Sequence, residues 1–430
     1  MRYPPEAMLS NTKKALGLCA LSFINWVLFY GLGVFLAREL GVGGFKAYSV
    51  AIATLTLLAS FATLGLEKYA VRVLPALYER EDWAHARGFT IFSRNLVMGV
   101  SLGVVAVFGV VATIRTMTDM DGPQSTTVLA VLFLPIVVGG SFLLEVLAAN
   151  GEVMRATIVY RFLLPAAALL SMGAIWASPR PLTALAAVGC YCLAWLISFL
   201  VLRLLASRSA PAKTRIGDRT HDARLWLRRS MPFLVHGVMM TQFASLGIVG
   251  LGYLGGSDTS IAVFAAAMQT GGFVILLATS TNRLYGPITS LLIEHRDYQG
   301  MRGTIRERHT WIIPSTLVFL LVVLFFGRRI LLLYGPEFES GYAALCWIAA
   351  GGSVSVWFAM APSYLKYVGK NALVLGVTAA ASLLNVALLV LLGPTHGATG
   401  AAAAYAISLA TMAVIFLVLG LRTAKQTMTD

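Results

Sequence analysis

Charge is what this sequence has least of. Only 12% of its 430 residues are Asp, Glu, Lys or Arg, against about 25% in soluble globular domains. Acids are scarcer than bases, 19 against 33. With 58% hydrophobic residues and a mean hydropathy of +0.78, the chain carries more apolar surface than a soluble fold of this length can bury. A soluble enzyme, a nucleic-acid-binding module and a disordered protein are therefore excluded. Cysteine is also sparse. Cys19, Cys190, Cys192 and Cys346 all lie in apolar runs, and Cys190 and Cys192, two positions apart, face different sides of a helix. Neither a disulfide framework nor a metal site is indicated. There is no P-loop, no HExxH, no nucleophile elbow and no cluster of metal ligands, so no cofactor is expected. The glycine-rich runs GVGG (41–44) and GATG (397–400) open apolar segments and are not phosphate cradles.

What is present is a series of long apolar runs. A helix needs about 20 mostly apolar residues to cross the hydrocarbon core of a bilayer. Twelve such runs are readable, at 15–37, 44–65, 90–114, 126–149, 155–177, 182–206, 229–254, 261–284, 310–333, 342–366, 371–392 and 398–420. The first is too long for a cleavable signal peptide, and Arg38-Glu39 follows it. Twelve spans place both termini on one side. Arg38, Lys46, Arg115, Arg180, Arg328 and Arg329 fall in the odd loops, and the other 27 of the 33 Lys and Arg lie at the termini, in the even loops and at the adjoining span ends. That bias makes both termini cytoplasmic. It also accounts for the net charge of +14 without any nucleic-acid partner.

The runs divide six and six. An N-terminal half, 1–206, and a C-terminal half, 229–430, are separated by a hydrophilic, arginine-rich linker at 207–228. Two more polar segments, 66–89 and 285–309, follow the second span of each half. Each has an early proline (Pro75, Pro287) and apolar residues at helical spacing, and each predicts a short amphipathic surface helix. Symmetry of this kind points to a duplicated all-α transporter with its substrate site between the halves. The outer loops are short, the longest being 115–125 and 334–341. Their acids (Glu39, Asp119, Asp121, Asp258, Glu337, Glu339) form no tight constellation. A polysaccharide polymerase or lipid-linked glycosyltransferase would need paired acids or an extended catalytic loop, so the enzyme reading ranks last.

Several stretches, in order along nearly the whole chain, carry a family resemblance. They are AREL-GVGGFKAYSVA (37–51), LGLEKYAVRVLPALYERED (64–82), LRRSMPFLVHGVM (227–239), ILLLYGPEFESGYAALCWIAAG (330–351) and LLGPTHGATGAAAAYAISLA (391–410). Together they resemble the polysaccharide flippases of the multidrug/oligosaccharidyl-lipid/polysaccharide exporter superfamily, the Wzx-type O-antigen and exopolysaccharide flippases in particular. The resemblance implies two six-helix lobes around a central cavity that opens alternately to either side. It implies a lipid-linked oligosaccharide as substrate, carried on undecaprenyl diphosphate across the bacterial inner membrane, and polysaccharide polymerase and chain-length machinery as partners. One departure is visible. Many relatives carry an Asp near the outer end of span 7, where this chain has Leu246-Gly247-Ile248.

Ionisable groups inside spans are costly and mark cavities or relays. Arg94 lies early in span 3, Arg161 two turns into span 5, Arg283 near the end of span 8, and Lys366 closes span 10. Asn25, Gln242, Gln269 and Asn385 are interior amides, read either as substrate contacts or as interhelical hydrogen bonds. Arginine forks match phosphate oxygens and stay charged, so Arg161, Arg283, Arg94 and Lys366, with Asn25, Gln242 and Gln269, are the candidate substrate-binding set. The span-end cations are equally readable as snorkelling to the headgroups. Glu145 is the one carboxylate well inside a span. It reads either as an ion-pair partner of Arg161 or, with His236, as a group able to change protonation and couple transport. The excess of interior cations over acids fits an anionic cargo better than the cationic drug of a multidrug exporter, which is the alternative within the superfamily.

Overall fold

The computed structural model describes residues 5–117, 125–179, 181–214, 218–294 and 297–429; at 5–19, 115–117, 425–429 and most of 278–298 it describes the backbone alone. The fold is all-α, with no strand among the described residues. The helices are α1 (Pro5–Ala62), α2 (Leu66–Glu79), α3 (Trp83–Met117), α4 (Ser125–Leu132), α5 (Leu134–Ala149), α6 (Val153–Ile158), α7 (Leu164–Trp176), α8 (Ala184–Ser209), α9 (Ala223–Tyr253), α10 (Asp258–Glu294), α11 (Tyr298–Leu331), α12 (Tyr342–Trp357), α13 (Met360–Tyr367) and α14 (Asn371–Thr429). A π-helical turn, Val159–Leu163, joins α6 to α7.

Among the described residues nine helices are long and apolar enough to cross a membrane, and α4 with α5 forms a further span bent by 43°. Two of the nine are too long for one crossing. Ala20–Ala62 has 43 residues and Asn371–Ala424 has 54, and at 1.5 Å per residue each exceeds twice the roughly 30 Å of hydrocarbon. Each is broken at a glycine outside helical geometry, Gly41 (φ 64°, ψ −176°) and Gly397 (φ 54°, ψ −128°). Each therefore folds as two spans joined at a backbone conformation open to glycine. Split there, the helices match the twelve expected runs in order.

Of the two expected surface helices, the first is present. α2 is a separate amphipathic helix that buries Leu66, Tyr69, Ala70 and Leu74. The second is a correction: residues 285–309 form no helix of their own. α10 runs on to Glu294 and α11 starts at Tyr298, so the segment extends two spans. Pro287 does not end the helix it lies in.

By contacts the chain falls into two compact units, residues 39–249 in one and residues 1–38 with 250–430 in the other. The expected boundaries at 1–206 and 229–430 differ from this grouping over residues 1–38 and 229–249. In the 39–249 unit, α5 is the central element and packs on α2, α3 and α8. Of the linker, Lys213, Thr220 and Asp222 lie against the α2–α3 turn. His85 bridges Asp82 and Asp222, at 2.8 and 3.3 Å, and the Thr220 amide donates to the Ala84 carbonyl at 3.4 Å. The hydrogen bond from His85 holds the Asp82 carboxyl below its ordinary range. In the other unit α12 packs on α10, α11 and α14. Gly351 lies so close to Ala406 that an added Cβ would overlap it, the small-residue contact that lets membrane helices approach. Large apolar side chains such as Val107 (66% exposed), Phe325 (72%) and Leu383 (70%) remain uncovered, as lipid-facing helix surfaces do.

Candidate functional site: a cation-lined cavity and two polar clusters

The residues singled out by sequence fall in both units. Arg94, Glu145, Arg161, His236 and Gln242 belong to the 39–249 unit, and Asn25, Gln269, Arg283 and Lys366 to the other. The side chain of Arg283 lies outside the described residues. Lys366 is exposed on α13, and Asn25 and His236 are half-buried. Gln242 and Asn385 are buried. Arg161 sits half-buried in the π-helical turn between α6 and α7, a helix irregularity that recurs at functional positions.

Arg94 lines a cavity of about 790 Å³ in the 39–249 unit, together with Arg87 and Arg203. Three helices supply most of its wall, each through one face, and Tyr78, Asn150, Ala210 and Thr214 complete it. Arg87, Ile91, Arg94 and Met98 lie at helical spacing on α3; Gly139, Phe142, Leu143 and Val146 do so on α5; Phe199, Arg203, Ala206 and Ser207 do so on α8. No Asp or Glu among the described residues lines it.

The second cluster surrounds Glu145. The carboxylate is 17% exposed and pairs with Lys68 of α2, so the ion pair of this acid is made with a residue outside the sequence-derived set. Glu67 is adjacent. Burial raises its carboxyl above the ordinary range, and its own backbone amide, Lys68 and Thr63 offset this only in part. Burial pulls the Lys68 ammonium down, and Glu145 more than reverses it.

The third cluster is in the other unit. Trp26 stacks on Tyr30 of the next turn with ring centroids 5.0 Å apart. Phe273 meets Trp26 edge-on at 5.0 Å, and Tyr334 meets Tyr30 edge-on at 5.7 Å. Gln269 donates to the Phe29 carbonyl and accepts from the Tyr334 hydroxyl at 3.2 Å. The amide thus ties α10 to α1.

A further polar device lies in the same unit. The span made by α12 and α13 is interrupted at Phe358–Ala359, where the regular helical ladder gives way to short turn hydrogen bonds such as that from the Ala359 amide to the Val356 carbonyl at 3.4 Å. Arg308, fully buried, donates to the carbonyls of Val356 at 2.8 Å and Trp357 at 3.2 Å. His309 Nε2 donates to the Trp357 carbonyl at 3.0 Å. Sequence reasoning placed Arg308 on a surface segment and missed this role.

No protein-family model matches the sequence, and no curated protein matches it. Solved structures do. An inward-facing multidrug resistance MATE family transporter of the MOP superfamily superposes with a TM-score of 0.76 at 14% identity, over 96% of either chain. The chain has the MATE transporter fold. A MATE solved in complex with MaL6 has a TM-score of 0.68 at 13% identity, over 98% of both chains. A MOP superfamily transporter from Pyrococcus furiosus Vc1, whose binding pocket of reverse polarity is described as suggesting a different function, has a TM-score of 0.67 at 12% identity, over 98% of this chain and 97% of that one. At these identities the MATE likeness concerns the fold, and the cargo has to be argued from this chain's own residues.

Proposed function

We propose that this protein is a transporter that moves an anionic, lipid-linked oligosaccharide across the bacterial inner membrane, with both termini cytoplasmic. The cargo class is an undecaprenyl-diphosphate-linked repeat unit for O-antigen or exopolysaccharide synthesis. Transport proceeds by alternating access of two six-helix lobes, and no covalent chemistry is involved. The observation that carries this reading is the balance of interior charge. Glu145 is the one carboxylate well inside a span, and Lys68 already neutralises it. Arg94 and Arg161 add positive charge on the same unit, with Lys366 on the other. A lipophilic cation requires spare carboxylates, whereas a diphosphate requires guanidiniums. The solved Pyrococcus furiosus transporter, described as having a pocket of reverse polarity that suggests a different function, supports the idea that this fold is not tied to one function. Arg161, Arg283, Arg94 and Lys366 hold the diphosphate or acidic sugars, with Asn25, Gln242 and Gln269 as polar contacts. Glu145 and His236 are the groups through which proton coupling would act.

The second reading is a cation-coupled multidrug exporter. It is favoured by the multidrug resistance MATE transporter among the structural neighbours. Deletion of the gene in its host separates the two. The flippase reading expects loss of surface polysaccharide, with completed repeat units trapped on the cytoplasmic leaflet. Normal polymer together with new drug sensitivity would transfer the assignment to the exporter. Completed but unpolymerised units on the outer leaflet would indicate a polymerase.

A further inference from the structure

The cavity between α3, α5 and α8 is amphiphilic along its length. One end is apolar, walled by Met98, Phe142, Leu143 and Phe199. The other carries Arg87, Arg94 and Arg203 with the polar groups of Asn150 and Ser207. About 790 Å³ is within the roughly 300–1,000 Å³ of small-molecule sites. Arg94 and Arg203 make no ion pair among the described residues; the side-chain contact of Arg94 is the neutral Asn95 oxygen, at 3.3–3.4 Å. Guanidiniums around one cavity whose wall carries no acid make it a place that favours an anion. The apolar wall requires that the anion be attached to an apolar body.

We propose that this cavity is a binding site for the phosphate headgroup of an anionic phospholipid, with Arg94 of α3 and Arg203 of α8 as its ligands. The phosphate takes the arginine end, and the first carbons of the lipid lie against Phe142, Leu143 and Phe199. At the apolar end Gly139 lets Phe199 and Met98 pack closely over α5: a Cβ there would lie 3.0 Å from the Phe199 ring and 3.3 Å from the Met98 sulfur, so a larger side chain crowds that end. The site lies wholly within the 39–249 unit; it shares Arg94 with the proposed cargo contacts, whereas Arg203 belongs to this site alone, so phosphatidylglycerol binding lost in Arg203→Ala reports on this site and not on the cargo.

The test uses the purified full-length protein, delipidated in detergent, with native mass spectrometry and thermal unfolding as readouts. The probes are phosphatidylglycerol, phosphatidylcholine and inorganic phosphate. Phosphatidylglycerol is expected to bind and to raise Tm, and phosphatidylcholine to do neither. Arg94→Ala and Arg203→Ala should each weaken phosphatidylglycerol binding about tenfold, the scale of one lost charge-assisted hydrogen bond. Arg72→Ala, an exposed α2 residue outside the cavity, should leave it unchanged. Gly139→Leu, which crowds the apolar end and leaves every arginine in place, should abolish binding. Equal binding of phosphatidylcholine, equal loss in Arg72→Ala, or undiminished binding in Gly139→Leu would overturn the proposal. Inorganic phosphate matching phosphatidylglycerol in its effect on Tm would also overturn it, since the site would then hold a free anion.

Discussion

At the scale of single residues, polar side chains in this protein act mostly on backbone or on each other. Arg308 is the clearest case. Its two hydrogen bonds reach the Val356 and Trp357 carbonyls beside the break at Phe358–Ala359, where the Ala359 amide and His309 add one contact each. Arg308→Met keeps the apolar volume and removes two hydrogen bonds from a charged donor, and is expected to lower stability by about 1–3 kcal/mol. Thermal unfolding in detergent measures it; an unchanged Tm would mean that water replaces the guanidinium. Glu67 gives a pH-dependent expectation. Burial raises its carboxyl above the ordinary 4.5, so the folded state favours the protonated acid. Its stabilising contribution is complete below the unfolded value and is lost as pH rises through the raised one. Glu67→Gln should therefore flatten the dependence of Tm on pH above 4.5 and leave the variant more stable than the native protein at pH 7. The sequence made these residues hard to see. Arg308 and Glu67 lie in polar segments where charge is ordinary, and neither periodicity nor composition tells a capping arginine from a solvated one. Arg94 was legible because it interrupts an apolar run. Arg87, seven residues earlier on the same helix face, and Arg203, near the end of α8, were masked by the general excess of basic residues beside the even loops.

At the scale of elements, hydropathy was a good guide to spans and a poor one to their ends. Twelve apolar runs reappear as helices because a backbone in hydrocarbon must satisfy its hydrogen bonds within the segment. Runs 15–37 and 44–65 are joined without an intervening loop because Gly41 alone makes the turn, and Gly397 does the same between the last two. Gly41 isolates the backbone effect, since no atom lies within 4 Å of a Cβ added there. Gly41→Ala is expected to cost about 1–3 kcal/mol from strain alone, read as a lowered Tm at unchanged expression. A neutral substitution would mean that the joint relaxes to an ordinary turn. The two polar segments 66–89 and 285–309 looked equivalent in sequence, yet α2 separates from its span and the second segment does not. The backbone before each segment differs. α2 is preceded by Gly65 in the left-handed conformation (φ 67°), which ends the preceding helix, and a proline inside the second segment was insufficient to interrupt α10.

At the scale of the whole molecule, composition alone fixed the class: too few charges for water and enough apolar residues for twelve crossings. The fold follows, and solved MATE structures match it over nearly the full length despite 12–14% identity. That tolerance is expected of membrane bundles, where small-residue contacts such as Gly351 on Ala406 set helix approach and most lipid-facing positions accept any apolar side chain. The proposed cargo is argued from the few charged groups, and those are distributed over two units, so sequence spacing alone did not group them. The sign of the interior charge is the property that distinguishes the two transport readings. Its most direct measurement is flipping by the purified protein in proteoliposomes, with an undecaprenyl-diphosphate-linked oligosaccharide and a lipophilic cation as alternative cargoes. The account predicts protein-dependent movement of the lipid-linked sugar, lost in Arg161→Ala, with no movement of the cation. Movement of the cation alone would contradict it.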